Sequence, residues 1–213
     1  MPAASSLSSR VRLRVRRLKR AELPLDTVAM AKFLIGCTLV HEIDGTRLAG
    51  RIVETEAYLQ GDAASHAFRG PTRRNPSMFL RRGHAYVYIS YGVWPMLNIS
   101  SEEQGVGEAV LIRALEPTEG LEAMRQGKER DTDVARGPGR LARAMRVTLL
   151  HDGADLCGSG PLFLAAPMRA SGPVGVSTRI GITKDAERPL RFFERGNVFV
   201  SGLRRLNVGG VSA

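Results

Sequence analysis

The sequence predicts an α+β domain: one mixed unit in which a largely antiparallel, curved β-sheet carries packed helices. Three observations lead there. Runs rich in β-branched and aromatic residues, among them TLVHEID, RLAGRIVETEAYL, HAYVYISYG and AVLIRAL, dominate the chain. Helical periodicity is confined to short windows. Gly and Pro turns divide the last third into short segments, and no internal repeat is apparent. At 213 residues and 43% hydrophobic content, the chain can bury one good core.

The elements follow in order. Residues 1–20 begin with small polar residues and continue as VRLRVRRLKR. The alternation could form an edge strand, but six arginines and a lysine within eleven positions repel one another without a polyanion. A mobile basic arm is therefore expected over 1–20, a folded domain over 21–205 and a flexible tail over 206–213. Asp26, or Asp26 with Thr27, caps a helix carrying Val28, Ala31, Leu34 and Ile35 on one face and ending at Gly36. Asp44-Gly45 turns TLVHEID into RLAGRIVETEAYL, a β-hairpin. In the second strand Glu54 and Glu56 lie at i and i+2, so both carboxylates share a face with Tyr58. The span 61–75 reads as loop, followed by a strand that ends at Gly92, then by Asn98-Ile99-Ser100-Ser101 and AVLIRAL. Pro117 and Thr118 are expected to open a helix over TEGLEAMRQ with Thr118 as N-cap, and GPGRLARAMRV a second short helix. Its Gly-Pro-Gly-Arg opening could present N–H groups to a phosphate, though a plain glycine turn serves equally well. Short strands follow in GPLFLAAP, PVGVSTRIGI and PLRFFERGNVFVSG.

Composition narrows the partners. The formal charge is +10, with 31 Lys and Arg against 21 Asp and Glu, which points to a polyanion. Arginine outnumbers lysine 27 to 4; a planar guanidinium suits bidentate phosphate contact, but a GC-rich coding bias gives the same ratio. Cys37 and Cys157 stand 120 positions apart without a C-x-x-C or Cys/His cluster, so neither a disulfide framework nor a zinc site is implied. No apolar run reaches the ~18 residues of a membrane span, and residues 1–20 lack the apolar stretch of a secretory signal. A cytoplasmic protein without a membrane partner is expected.

The chemistry concentrates between Arg51 and Asn98. All four tyrosines (Tyr58, Tyr86, Tyr88, Tyr91) lie there, beside the carboxylate pair, although aromatics are only 6% of the composition. That suits a pocket for a planar ligand. One carboxylate of Glu54-Thr55-Glu56 could act as general base, since partial burial raises a carboxyl pKa and a neighbouring arginine holds it ionised. An isolated E-x-E on a strand is as often two solvated glutamates, and a tyrosine on a strand is ordinarily packing. Tyr91 differs because it stands at a turn tip before Gly92.

Read together, R-I-V-E-T-E-A-Y, A-A-S-H, R-R-N-P-S-M-F, Y-V-Y-I-S-Y-G, N-I-S-S and L-I-R-A-L-E-P-T-E-G-L-E-A-M-R, continued by GPGRL and PLRFFERG, resemble the alkyladenine-type 3-methyladenine DNA glycosylase family. The resemblance spans roughly Leu23 to Gly202. It implies a monofunctional enzyme that flips a damaged purine, alkylated or deaminated, out of duplex DNA and hydrolyses the glycosidic bond with water. By resemblance, Glu56 activates that water and Arg113 holds the water and the ionised carboxylate. The backbone carbonyl near Ile180 completes the water site. Tyr58 and His66 line one side of the flipped base and Tyr88 the other, Tyr91 fills the vacated stack, and Asn98 crowds the purine edge against guanine's amino group. The backbone near Ala64 and His66 reads the base, and Met78 packs on the lesion's neighbour in the duplex. Arg73 and Arg74 of the basic turn are expected on DNA. The resemblance implies duplex DNA with a damaged purine as partner, no cofactor or metal, and a monomer. None of the four lysines lies in the motif region, so no Schiff-base lyase step is expected.

Two departures stand out. The segment LQGDAAS between Tyr58 and His66 is one residue shorter than in better known relatives, with Gln60 where glycine is common, and Val93-Trp94-Pro95 replaces a Met-aromatic sequence. Two other classes fit some of these residues. A non-catalytic damaged-DNA binding module needs the charge and aromatics but neither Glu56 nor Arg113. A metal-dependent nuclease would use Glu54, Glu56 and His66, but lacks the further ligands that hard cations require.

Overall fold

The protein's computed structural model describes residues 15–203 and residue 207. Eight strands form one antiparallel sheet: β1 (Thr38–Ile43), β2 (Thr46–Tyr58), β3 (Ala85–Ser90), β4 (Trp94–Ser100), β5 (Ala109–Glu119), β6 (Leu162–Ala165), β7 (Val174–Ser177) and β8 (Arg191–Glu194). The order β3-β4-β5-β2-β1-β6 makes β2 central, and β8 joins β2 with β7 outside it. The helices are short: α1 (Thr27–Leu34), α2 (Leu121–Met124) and α3 (Pro138–Ala144). The α+β reading, with a curled sheet, holds.

Why β2 is central follows from its partners. It runs thirteen residues, and Leu48 to Ala57 are buried without interruption, as both faces are covered. One edge pairs with β5 throughout; the other pairs with β1 as far as Arg51 and with β8 from Glu54 to Glu56. The register against β5 shifts on both sides of Glu54. A bulge there bends the strand and strengthens its twist, which curls the sheet. The Glu54–Glu56 segment is thus enclosed by β5, β8 and the loops that reach over them.

Local expectations are met where local chemistry dominates. Asp26 caps α1, its carboxylate accepting from the Ala29 N–H at 2.6 Å. The buried face is Thr27, Met30, Ala31 and Leu34, rotated from the expected one, and the Thr55 hydroxyl donates to Ala31 O at 2.9 Å. Asp44 (φ 49°) and Gly45 (φ 74°) form the two-residue hairpin turn. The span 61–75 contains no strand or helix, and α3 forms within GPGRLARAMRV.

Two expectations fail for tertiary reasons. The helix expected from Thr118 is instead the end of β5, where Pro117 pairs with Gly50 and Glu119 with Ala49. Helix α2 is a single turn capped by Gly120 (φ 80°), where a Cβ would stand 2.5 Å from Arg47 O. A free ladder edge on β2 outcompetes the local helix propensity of a short segment. The arm expected over 1–20 is also too long. Arg17 bridges Ala165, the Leu18 N–H donates to Leu164 O at 3.0 Å, and Leu18 is buried in the core. Residues 15–20 are packed against β6, closer to the edge-strand alternative, because they cover its open edge. The expectations for 1–14 and for the tail 206–213, Asn207 apart, lie outside the described residues. Among the described residues no helix is long and apolar enough to cross a membrane.

Candidate active site

Glu54 and Glu56 share one face of β2, as alternation requires, and both are fully buried. Arg113, from β5, lies between them: Nε donates to Glu54 Oε1 at 3.0 Å and Nη1 reaches Glu56 Oε2 at 3.1 Å. The two carboxylates then differ. Glu54 also accepts from Arg191 Nε at 2.7 Å and from the Ser201 N–H at 2.7 Å. Burial alone would raise its pKa, but Arg113 and Arg191 outweigh that and hold it below the usual carboxylate range. Its charge sits inside a ring of donors. Glu56 accepts from the Ile180 N–H at 2.8 Å on one oxygen and from the Tyr58 hydroxyl at 2.9 Å on the other. Burial and then the charge of Glu56 raise the Tyr58 pKa, so Tyr58 stays a phenol and a donor. Burial opposes a charge on Arg113, but Glu56 and Glu54 overcome it and raise its pKa.

Glu56 lies behind Tyr58, and Tyr58 lines a cavity of about 200 Å³ with Ala64, His66, Met78, Tyr88 and Asn98. The expected base-binding residues therefore converge within one volume. Their arrangement bears on four of the expected roles. His66 and Tyr88 touch edge to face, with centroids 4.4 Å apart at 69°, so they do not stand on opposite sides of a slot. The Ala64 N–H already donates to Asp62 Oδ1 at 2.9 Å, leaving its carbonyl rather than its amide for a ligand. Met78 is 2% exposed and packs with Ala67, Tyr86 and Ala109, so it floors the cavity instead of facing outward toward a duplex. At Ile180 the N–H meets Glu56, while the carbonyl accepts from Arg113 Nη1 at 3.5 Å. His66 Nδ1 lies 2.7 Å from the Tyr86 hydroxyl, and burial lowers its pKa, favouring the neutral ring. Asn98 is buried and faces Tyr86 in register; its amide donates to Tyr86 O at 3.1 Å.

Beside the cavity runs an open cleft of about 910 Å³, lined by His66, Tyr88, Tyr91, Arg73 and Arg74 among others. Tyr91 is 87% exposed at the β3–β4 turn and sits at φ 50°, a strained conformation for a bulky residue outside glycine. Gly92 follows at φ 72° and completes the turn. The basic turn is held by Asn75, whose Oδ1 accepts from the Thr72 N–H at 2.6 Å while Nδ2 donates to His66 O at 2.9 Å. Arg73 and Arg74 are thereby presented on a loop tied to His66.

Sequence reasoning missed Asp62, Arg179 and Arg191. Arg191 and Ser201 belong to segments far from β2 in the chain, and only folding brings them to Glu54. Arg179 precedes Ile180 directly, the one available signal. Among the described residues no group of three His, Cys, Asp or Glu side chains converges, so Glu54, Glu56 and His66 do not form the donor set a metal-dependent nuclease needs.

A fully buried carboxylate, clamped by arginine behind a pocket of aromatic rings, is more than a gripping surface needs. Fold and site together place a buried, arginine-held carboxylate beside a pocket lined by aromatic rings. Comparison with known proteins makes this specific: the model of the methylpurine-DNA glycosylase (MPG) family matches residues 21–198, and the chain belongs to that family. It is a DNA glycosylase by family. A Mesorhizobium japonicum protein named "Putative 3-methyladenine DNA glycosylase" is 59% identical over 191 residues, covering 89% of this chain and 92% of its own. Proteins of the same name from Paraburkholderia phytofirmans and Methanoculleus marisnigri are 53% and 47% identical, covering 90% and 83% of this chain and 91% and 94% of their own.

Proposed function

We propose that this chain excises damaged purines, 3-methyladenine among them, from duplex DNA by direct water attack, acting as a cytoplasmic monomer. The observation that carries the reading is the environment of Glu56: a carboxylate fully buried, accepting from Ile180 N–H, Tyr58 and Arg113, and hydrogen-bonded to a tyrosine, Tyr58, that lines the cavity of about 200 Å³. A binding module has no use for such a group, because burying a charge costs several kcal/mol unless something repays it.

In this mechanism the duplex lies across the cleft, with Arg73 and Arg74 on phosphates and Tyr91 in the gap left by the rotated nucleotide. The base enters the cavity among Tyr58, His66 and Tyr88. Because His66 and Tyr88 touch, entry requires one of these rings to turn. Glu56 accepts a proton from water as the water oxygen bonds to the anomeric carbon. The carbon–nitrogen bond breaks, and its electron pair leaves on the base nitrogen; a cationic N-alkylated base then departs neutral, whereas a neutral deaminated purine departs as its anion and takes a proton from solvent. The negative carboxylate also stabilises positive charge developing on the sugar. Asn98, fixed by Tyr86, stands where an amino group at purine C2 would crowd it, which disfavours guanine. The decisive experiment is excision from a panel of lesion duplexes in chelator. Release of an alkylated or deaminated purine without strand cleavage supports the reading; no release from any lesion overturns it.

A further inference from the structure

The base pocket and the catalytic carboxylate are tied together by a buried ion pair outside the site itself. Asp62 and Arg179 are both buried. The Arg179 guanidinium binds Asp62 through two nitrogens, one pair at 3.0 Å, and Nη1 also donates to Ala57 O at 3.1 Å. Nη2 donates to Asp185 O at 3.2 Å, and the guanidinium lies over the Tyr58 ring, 4.7 Å from its centroid. Every partner belongs to a functional element. Ala57 and Tyr58 flank the end of β2 next to Glu56. Asp62 Oδ1 accepts from the Ala64 N–H at 2.9 Å and Asp185 Oδ2 from the Ala63 N–H at 2.8 Å, so the same cluster shapes the loop lining the cavity. Arg179 is covalently joined to Ile180, whose N–H meets Glu56 at 2.8 Å.

Resting on the proposed function, we infer that Arg179, anchored by Asp62, is a positioning residue that holds the Ile180 N–H and the Tyr58 hydroxyl on Glu56 and couples the base-binding loop to them. The cost of burying this pair argues for such a use. The Asp–Arg geometry satisfies both charges, but a hydrophobic pair of equal volume could fill the space without desolvating ions. Arginine instead bridges three chain segments at once, through its rigid fork of donors.

The test uses the lesion duplex that wild type excises fastest in the panel, in single-turnover excision, for wild type, Arg179→Lys, Arg179→Met and Asp62→Asn, with thermal melts of each. The groups facing Glu56 are Glu54 and Tyr58 on its own strand, Arg113 on β5 and Tyr88 on β3, with Arg191 of β8 opposite in register. None of these is altered. Lysine cannot hold Ala57 O, Asp62 and the Tyr58 ring together, so Ile180 and Tyr58 drift from the carboxylate. A rate loss of roughly 10- to 100-fold is expected for a sub-ångström to ångström displacement. Lesion affinity, measured in the Glu56→Gln background, should fall by a smaller factor than the rate. Asp62→Asn keeps an acceptor for Ala64 and should slow excision by a smaller factor. If the Arg179 variants do not fold, Asp62→Asn decides alone. Lower melting temperatures with lesion affinity falling as much as the rate, or a wild-type rate in Asp62→Asn, would overturn the positioning role while leaving wild-type excision, and the function, intact. Absence of wild-type excision from every lesion of the panel would defeat the functional reading and this role with it.

Discussion

Replacing Glu56 by glutamine tests the proposed chemistry most directly, and the structure sets the sizes. The amide has the carboxylate's shape but one acceptor where there were two. If its oxygen faces Tyr58 and Arg113, its NH2 group meets the Ile180 N–H, donor against donor; turned over, it meets Arg113 instead. Either way one buried donor is left unsatisfied, which costs about 1–3 kcal/mol of stability. Arg113 keeps Glu54 as partner at 3.0 Å, so the larger penalty of an orphaned buried cation is avoided and the variant should fold. Activity suffers far more. Loss of a positioned general base lowers rates by ~10²–10⁴-fold, and loss of the charge beside the developing oxocarbenium ion adds to that. Lesion binding should stay within about 1.4 kcal/mol, a factor of ten, because Tyr58, His66, Tyr88 and Tyr91 remain. The assay is single-turnover base release at saturating enzyme, alongside lesion-duplex affinity and a thermal melt. Near wild-type release by a folded Glu56→Gln protein would refute the assignment; loss in a folded Glu54→Gln protein alone would move the role two residues back.

Four further outcomes are expected. Tyr91→Ala should weaken lesion binding and slow excision, less so in a mismatch where unstacking costs less; an unchanged signal from a fluorescent purine at the lesion would remove the wedge role. Asn98→Ser should relax discrimination against guanine-derived bases by about 1–3 kcal/mol; a constant ratio among hypoxanthine, 7-methylguanine and guanine would show that Asn98 serves only its bond to Tyr86. Deleting residues 1–14, which carry Arg10, Arg12 and Arg14, should flatten the salt dependence of binding to damaged and undamaged DNA alike, whereas deleting 1–20 should also lower the melting temperature, because Leu18 is core; equal melting temperatures would contradict that packing. Glu194 is held at about 2: burial would raise it, but Arg51, the Gly172 N–H and Asn197 pull it down. A depressed folded-state pKa gives stability that is complete above the unfolded value and lost as pH falls toward the folded one. Unfolding free energy should therefore drop between about pH 4.5 and pH 2, and Glu194→Gln should flatten that slope; an unchanged slope would remove Glu194 as its source.

Much of the site's chemistry was local enough to be read directly. Strand alternation places Glu54, Glu56 and Tyr58 on one face, Asp26 caps α1, and Asp44-Gly45 turns the first hairpin, because each follows from neighbours within a few residues. The family-like motifs also named residues that do meet in one cavity. Which carboxylate is the structural anion was not legible. That depends on Arg191 and Ser201 reaching Glu54, and on Ile180 reaching Glu56, contacts between segments more than a hundred residues apart. Local helix propensity misjudged Thr118, and charge repulsion misjudged residues 15–20, where unpaired sheet edges on β2 and β6 recruited the chain. Met78 turned inward for a similar reason: the cavity floor offered apolar neighbours that a turn sequence does not reveal. Short-range patterning thus determined the strands, turns and reactive groups of this protein. Tertiary structure decided their charge states and partners, since a buried carboxylate's character is set by the donors folding brings to it.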